Sequence, residues 1–188
     1  MEAKLFLDFL NERQSVRAYS DKPVEVEKLE RCLEAARISP SACNAQPWKF
    51  IVVDNPELKN RVADNTTAGR LVPMNHFTRQ APLLVVIVRE SPNLTCKIGS
   101  VIKDKPYTLM DVGIAALQFC LQATAEGLGT CIMGWFNEKK VKEVLNIPKS
   151  KRAELIITLG YAADGYPLRP KIRKKMAEIC SYNQYSQK

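Results

Sequence analysis

The chain carries one histidine, His76, and no C-x-x-C pair among its six cysteines. A structural zinc site needs Cys and His clustered at short spacings, so the sequence argues against a metal centre. Cys32, Cys43, Cys96, Cys120, Cys131 and Cys180 are scattered. In a chain of this size they read as reduced thiols in a cytoplasm, not as a disulfide framework. No uninterrupted apolar run approaches the ~18 residues of a membrane span. The opening stretch MEAKLFLDFLNERQSVR is interrupted by Asp8, Asn11 and Glu12 and no small-residue cleavage site follows, so it does not read as a signal peptide. Internal repeats and low-complexity linkers are also missing, and residues 1–188 read as one domain.

What is present is ordinary for a globular protein: 46% hydrophobic and 26% charged residues. The 28 Lys and Arg against 20 Asp and Glu leave a net charge of +8. Such an excess favours an anionic partner: nucleic acid, a membrane surface or a phosphorylated cofactor. Part of it is local, in RPKIRKK at Arg169 to Lys175. Neither RNP-like aromatics nor a helix-turn-helix pattern accompanies that cluster, which argues against nucleic acid.

Apolar spacing predicts helices over residues 2–12 and 25–37, the second with Val26, Leu29, Cys32, Leu33 and Ala36 on one face. WKFIVV, Trp48 to Val53, reads as a strand. A helix over 55–63 carries Pro56 in its first turn. Residues 64–80 read as irregular and 90–106 as a mobile loop, with the buried strand LLVVIV at Leu83 to Val88 between them. Tyr107 to Glu126 is the longest helix. It is apolar nearly all round, with relief at Asp111, Gln118 and Gln122, which places it in a core or an interface. A strand over 130–135, a helix over 137–145 capped by Asn137, a strand over 155–161 and a basic tail complete the chain. Helices around three or four separated strands make an α+β fold, its sheet pure or mixed.

The stretch GLGTCIMGWF, Gly127 to Phe136, opens with G-x-G. A dinucleotide fingerprint needs strand, glycine turn and helix in that order. Here a helix precedes and a strand follows, and Ile132 stands where the third glycine belongs. Gly127 is instead a helix C-cap. Gly134 lies at a strand end, where it reads either as a tight turn or as a place for a ligand to approach bare backbone.

Four segments decide between these readings. They are RQSVRAY at Arg13 to Tyr19, SPSACNAQPWKF at Ser39 to Phe50, GLGTCIMG at Gly127 to Gly134, and GYPLRPKIRKK at Gly165 to Lys175. Together and in this order they resemble the flavin-dependent nitroreductase family. The resemblance implies a central mixed sheet of four to five strands flanked by helices, in an intertwined homodimer. It implies FMN at the subunit interface, NADH or NADPH as electron donor, a small-molecule acceptor, and no nucleic-acid or membrane partner.

By the same resemblance, Arg13, Ser15, Lys171 and Arg173 bind the cofactor at its phosphate end, where arginine forks suit the anion, and Gln14 is a further cofactor-binding residue. Arg17 faces the pyrimidine edge of the flavin. Pro40, Ser41 and Asn44 reach it from the partner subunit, and Asn75 touches the ring edge. Met133 and Gly134 offer backbone N–H groups to the reactive nitrogen and the adjacent carbonyl. Gln46 and Trp48 have structural roles, a buried amide and core packing. No side chain is nucleophile or general base, since the cofactor carries the hydride. A flavin-binding sensor without turnover and a basic nucleic-acid-binding protein are the alternatives. The physiological acceptor is not legible, because loops 64–80 and 90–106 match no pattern.

Overall fold

The computed structural model describes residues 2–67 and 74–185. The elements run α1 (Ala3–Glu12), α2 (Val26–Arg37), β1 (Trp48–Val53), α3 (Pro56–Asp64), β2 (Leu83–Arg89), α4 (Leu94–Lys103), α5 (Tyr107–Ala125), β3 (Gly129–Met133), α6 (Glu138–Val144), β4 (Arg152–Gly160) and α7 (Met176–Ile179). The strands form one sheet in the order β1-β2-β4-β3, and each neighbouring pair is antiparallel. The parallel component of the expected mixed sheet is confined, among the described residues, to one bridge between Ser15 and Thr130.

Both faces of the sheet are covered, which is why β2 reads as a continuous apolar run. Leu83, Val85 and Ile87 point to one core, with Phe119, Cys120 and Ala123 of α5 and Cys32 and Ala36 of α2. Leu84, Val86 and Val88 point to the other, with Val62 of α3 and Val141 of α6. In β4, Ile156 joins the second core while Ile157 and Leu159 join the first. Each such side chain, fully buried, contributes about 1.5–3 kcal/mol relative to exposure. The small residues Ala36, Ala116 and Ala123 at the α2–α5 contact let the two helices approach closely.

The outward side of α5 has no such cover. Leu109, Met110, Ile114 and Leu117 are between 40% and 50% exposed. Helix α1 buries no residue, and Leu5, Phe6 and Leu7 stand open. Leu5 and Phe9 share an apolar groove with Ile38 and Leu121. By length and composition α5 is apolar enough to cross a membrane, but its inner face is packed on the sheet.

Three expectations are corrected. Residues 94–103, read as part of a mobile loop, form α4. The Asn93 side chain accepts from Cys96 N (2.9 Å) and starts the helix, a cap masked in the sequence by the flanking Ser-Pro-Asn turn signals. Strand β4 begins three residues early, at Arg152, because pairing with Arg89 and Val88 continues into polar sequence. Gln46 is not a buried amide. It is exposed, in a left-handed conformation (φ 45°), and its Nε2 donates to Asn44 Oδ1 (3.0 Å). Part of the 64–80 segment is a 3-10 turn, His76–Arg79, and residues 68–73 lie outside the described residues.

Candidate active site

The two glycines of G-L-G serve the fold. Gly127 is left-handed (φ 74°) and ends α5, with Leu128 N donating to Ala123 O (2.8 Å) and Gly127 N to Thr124 O (3.0 Å). Gly129 is bare because another segment lies on it: a Cβ there would meet Val16 Cγ2 at 2.7 Å. That approach lets Val16 N donate to Thr130 O (2.8 Å) and forms the parallel bridge at Ser15.

The loop after α1 is therefore seated along β3, and several groups hold it there. The Tyr19 hydroxyl is buried between Val16 O (2.9 Å) and Thr158 Oγ1 (2.5 Å). Burial pushes its pKa up, so it stays a neutral hydrogen-bonding post. Arg17 N donates to the Tyr166 hydroxyl (3.0 Å), and Ala163 N to Ala18 O (3.0 Å). Because the bridge is parallel, Arg17 lies on the Met133 side of Ser15 and Arg13 on the Gly129 side.

This loop and the C-terminal basic segment enclose a cleft of about 530 Å³. Arg13, Gln14, Ser15, Arg17, Lys171 and Arg173, all singled out from the sequence, line it together. Arg169, which sequence reasoning passed over, lines it too. Its only sequence signal was its place in RPKIRKK. Among the described residues, five cations face the cleft and no carboxylate does. Among the described residues none of the five is ion-paired to an acidic side chain. Burial, then Arg13, Arg173 and Arg169, push the Lys171 ammonium pKa down. Unpaired like charges held together are costly unless an anion joins them, so the donor set suits a phosphate.

Gly134 stands four residues beyond Thr130, about 13 Å along an extended strand. It is exposed, its φ is not left-handed, and a Cβ there would meet nothing closer than Leu155 Cδ2 at 4.0 Å. The fold's own packing therefore does not require glycine at this position. Met133 turns its side chain into the core and is only 4% exposed. Trp135 is 64% exposed, and its carbonyl accepts from Asn75 Nδ2 (3.1 Å). Asn75, left-handed at φ 60°, also donates Nδ2 to Thr66 O (3.1 Å). Both amide hydrogens are thus used to staple this segment, and only the side-chain oxygen remains.

Pro40, Ser41 and Asn44 are not at the cleft. Their turn leads into β1, at the sheet edge opposite β3, with three strand spacings or about 14 Å between those edges. The turn is strained, with Cys43 (φ 51°) and Asn44 (φ 50°) left-handed. The polar residues of α5 hold it: Ala42 N donates to Asp111 Oδ1 (3.1 Å), and Ser39 Oγ to Gln118 Oε1 (2.6 Å). Gln46 N also donates to Ser41 Oγ (2.9 Å). One chain thus does not bring these two groups of residues together. Cys131 is buried and burial pushes its thiol up, while His76 is exposed. No group of His, Cys, Asp and Glu fit for a metal occurs among the described residues.

The family model described as Nitroreductase family matches residues 10–71 and 70–161. The oxygen-insensitive NADPH nitroreductase of Helicobacter pylori is 30% identical over 177 residues, covering 80% of this chain and 84% of that protein. The iodotyrosine deiodinase of Thermotoga neapolitana is 28% identical over 181 residues, covering 89% of this chain and 94% of that protein. Among solved structures, an FMN-dependent nitroreductase of Clostridium difficile superposes with a TM-score of 0.75 at 29% identity, covering 95% of this chain and 99% of that one.

Proposed function

The chain belongs to the nitroreductase family, and from that premise we propose that it is an FMN-dependent oxidoreductase passing two electrons from NADH or NADPH to a small acceptor such as a nitroaromatic, quinone or enone. The observation that carries this reading is the carboxylate-free cationic cleft at one end of β3, with the unexplained bare backbone of Gly134 at the other. An elongated ligand, anionic at one end and flat at the other, fits that layout.

When bound, FMN supplies the two-electron chemistry, which is why the protein needs no nucleophile. Arg13, Ser15, Lys171 and Arg173 hold the phosphate. Arg17, on the Gly134 side of that group, sets a positive charge where negative charge develops on reduction. Met133 and Gly134 offer peptide N–H groups, and Asn75 reaches the ring edge only through its side-chain oxygen. Pro40, Ser41 and Asn44 close the site from a second copy in an intertwined homodimer, whose interface exceeds about 2,000 Å² as in obligate dimers. Residues 1–188 act as one FMN-binding domain. The six free thiols agree with a cytoplasmic setting.

One slot beside the ring serves donor, then acceptor, so turnover is ping-pong. The test is an absorbance spectrum of the purified protein followed by anaerobic addition of NADH or NADPH. A yellow protein that bleaches rapidly and recovers its colour with a nitroaromatic or quinone supports the proposal. A protein that stays colourless after incubation with FMN overturns it. Flavin that binds and is not reduced points to a sensor without turnover.

A further inference from the structure

We propose that Gln14 and Arg169 form a reciprocal latch joining the N-terminal loop to the C-terminal basic segment, and that they act in the cleft by holding it together and not by touching the anion. The inference rests on the reading of the cleft as the seat of the FMN phosphate. It reassigns Gln14 from cofactor contact to positioning residue.

The geometry divides the cleft's residues into two kinds. Gln14 spends both ends of its amide on the far segment. Its Nε2 donates to Pro167 O (2.9 Å), and its Oε1 accepts from Arg169 N (3.1 Å) and Arg169 Nε (3.3 Å). Arg169 returns the contact by donating Nη2 to Ser15 O. Its guanidinium also lies 5.8 Å from the centre of the Tyr166 ring, whose hydroxyl receives Arg17 N. These donors are committed to protein atoms. Among the described residues Arg173, by contrast, donates only to the adjacent Ile172 carbonyl, which leaves most of its guanidinium for an anion.

The latch holds together a cleft lined by five cations, which repel one another; burial first, and then these neighbouring charges, push the Lys171 pKa down. The contact also bridges residues 155 apart in sequence. Beyond Lys171 every described residue, 172–185, is exposed. The latch therefore fixes where the tail leaves the body. Phosphate in the cleft offsets the repulsion and favours the docked tail. By linkage, a docked tail must raise phosphate affinity by the same factor.

The test compares wild type with Gln14→Ala, Arg169→Ala, Arg169→Lys and the Gln14→Ala/Arg169→Ala double variant. FMN and riboflavin are titrated into each protein, and tryptic cleavage of the tail is timed with and without FMN. Each single alanine variant is expected to weaken FMN about 10-fold, and the double variant by about the same factor, because one unit is lost only once. Riboflavin, without a phosphate, binds all five proteins equally. Arg169→Lys behaves like Arg169→Ala, since an ammonium cannot make the fork. The tail is cleaved faster in every variant, and FMN slows its cleavage in wild type. Wild-type FMN affinity in Arg169→Lys, additive losses in the double variant, or wild-type cleavage of the ligand-free variants each overturns the latch. If wild type binds neither flavin, the functional reading fails, and cleavage of the ligand-free chains still decides whether the latch exists.

Discussion

The fold's packing requires glycine at position 129 and not at position 134. A Cβ at Gly129 would collide with Val16, whereas one at Gly134 makes only an ordinary contact with Leu155 Cδ2 at 4.0 Å. Gly134→Ala is therefore expected to raise stability slightly, by about 0.4–1 kcal/mol through the unfolded chain, while weakening flavin binding. Thermal unfolding of the flavin-free protein and a flavin titration check the two halves separately. Unchanged flavin affinity would mean that no ligand approaches this backbone. The arginines divide in a similar way. Arg173→Ala is expected to weaken FMN by about 10–100-fold, the loss of one charge-assisted contact worth about 1.5–3 kcal/mol. It should leave the midpoint potential nearly unmoved, because the phosphate is charged in both redox states. Arg17→Ala should instead lower the potential and slow reduction of the flavin. Potentials measured for both variants decide this, and a larger shift in Arg173→Ala would reverse the two roles.

Helices α2 and α5 are joined at the α5 terminus by an ion pair as well as by their small-residue contact. Arg31 Nε and Nη2 donate to the two Glu126 oxygens (2.7 and 2.8 Å), and Lys28 Nζ donates to Glu126 O (3.0 Å). The Arg31 guanidinium holds the Glu126 carboxyl down, from the usual 4.5 to about 2. A carboxyl depressed in the folded state contributes stability that is present above its unfolded pKa and lost as pH falls through the folded one. Glu126→Gln is therefore expected to be less stable than wild type at neutral pH. The difference should shrink as pH drops below about 4.5 and vanish near 2. Urea midpoints for both proteins across that range test it, and a difference independent of pH would show that the pair contributes through geometry alone.

At the scale of the molecule, the cationic cleft and the Pro40–Asn44 turn lie on opposite edges of one sheet, and the apolar outer face of α5 stands exposed near the turn. In the homodimer proposed above, a second copy covers α5 and brings its own Pro40–Asn44 turn to the first copy's cleft. Ile114→Glu, on that outer face, should leave the monomer's fold intact because Ile114 is already 40% exposed. It is expected to convert a dimer to a monomer and to lose flavin together with the partner. Light scattering alongside flavin content checks the coupling. A monomeric variant that keeps its flavin would place the whole site within one chain.

The sequence by itself determined the elements whose cause is local. The continuous run of β2 is legible because both faces of a central strand are buried; Gly127 and Pro56 mark helix ends by their backbone chemistry, and Asn137 by the side-chain oxygen that accepts from Lys140 N. Six of the cleft's residues were also legible, through the family resemblance of the segments that carry them. The sequence missed α4, where turn-forming residues precede a helix whose cap is a single asparagine. Arg169 was passed over as well, because its partners, Gln14 and Ser15, are some 155 positions away. Only the tertiary structure decided why Gly129 is bare, that the sheet is antiparallel, and that Asn75 gives its amide to Trp135. It also decided that Pro40, Ser41 and Asn44 stand apart from the cleft. Each of these depends on which distant segments meet, and contacts between distant segments leave no periodicity in a single chain.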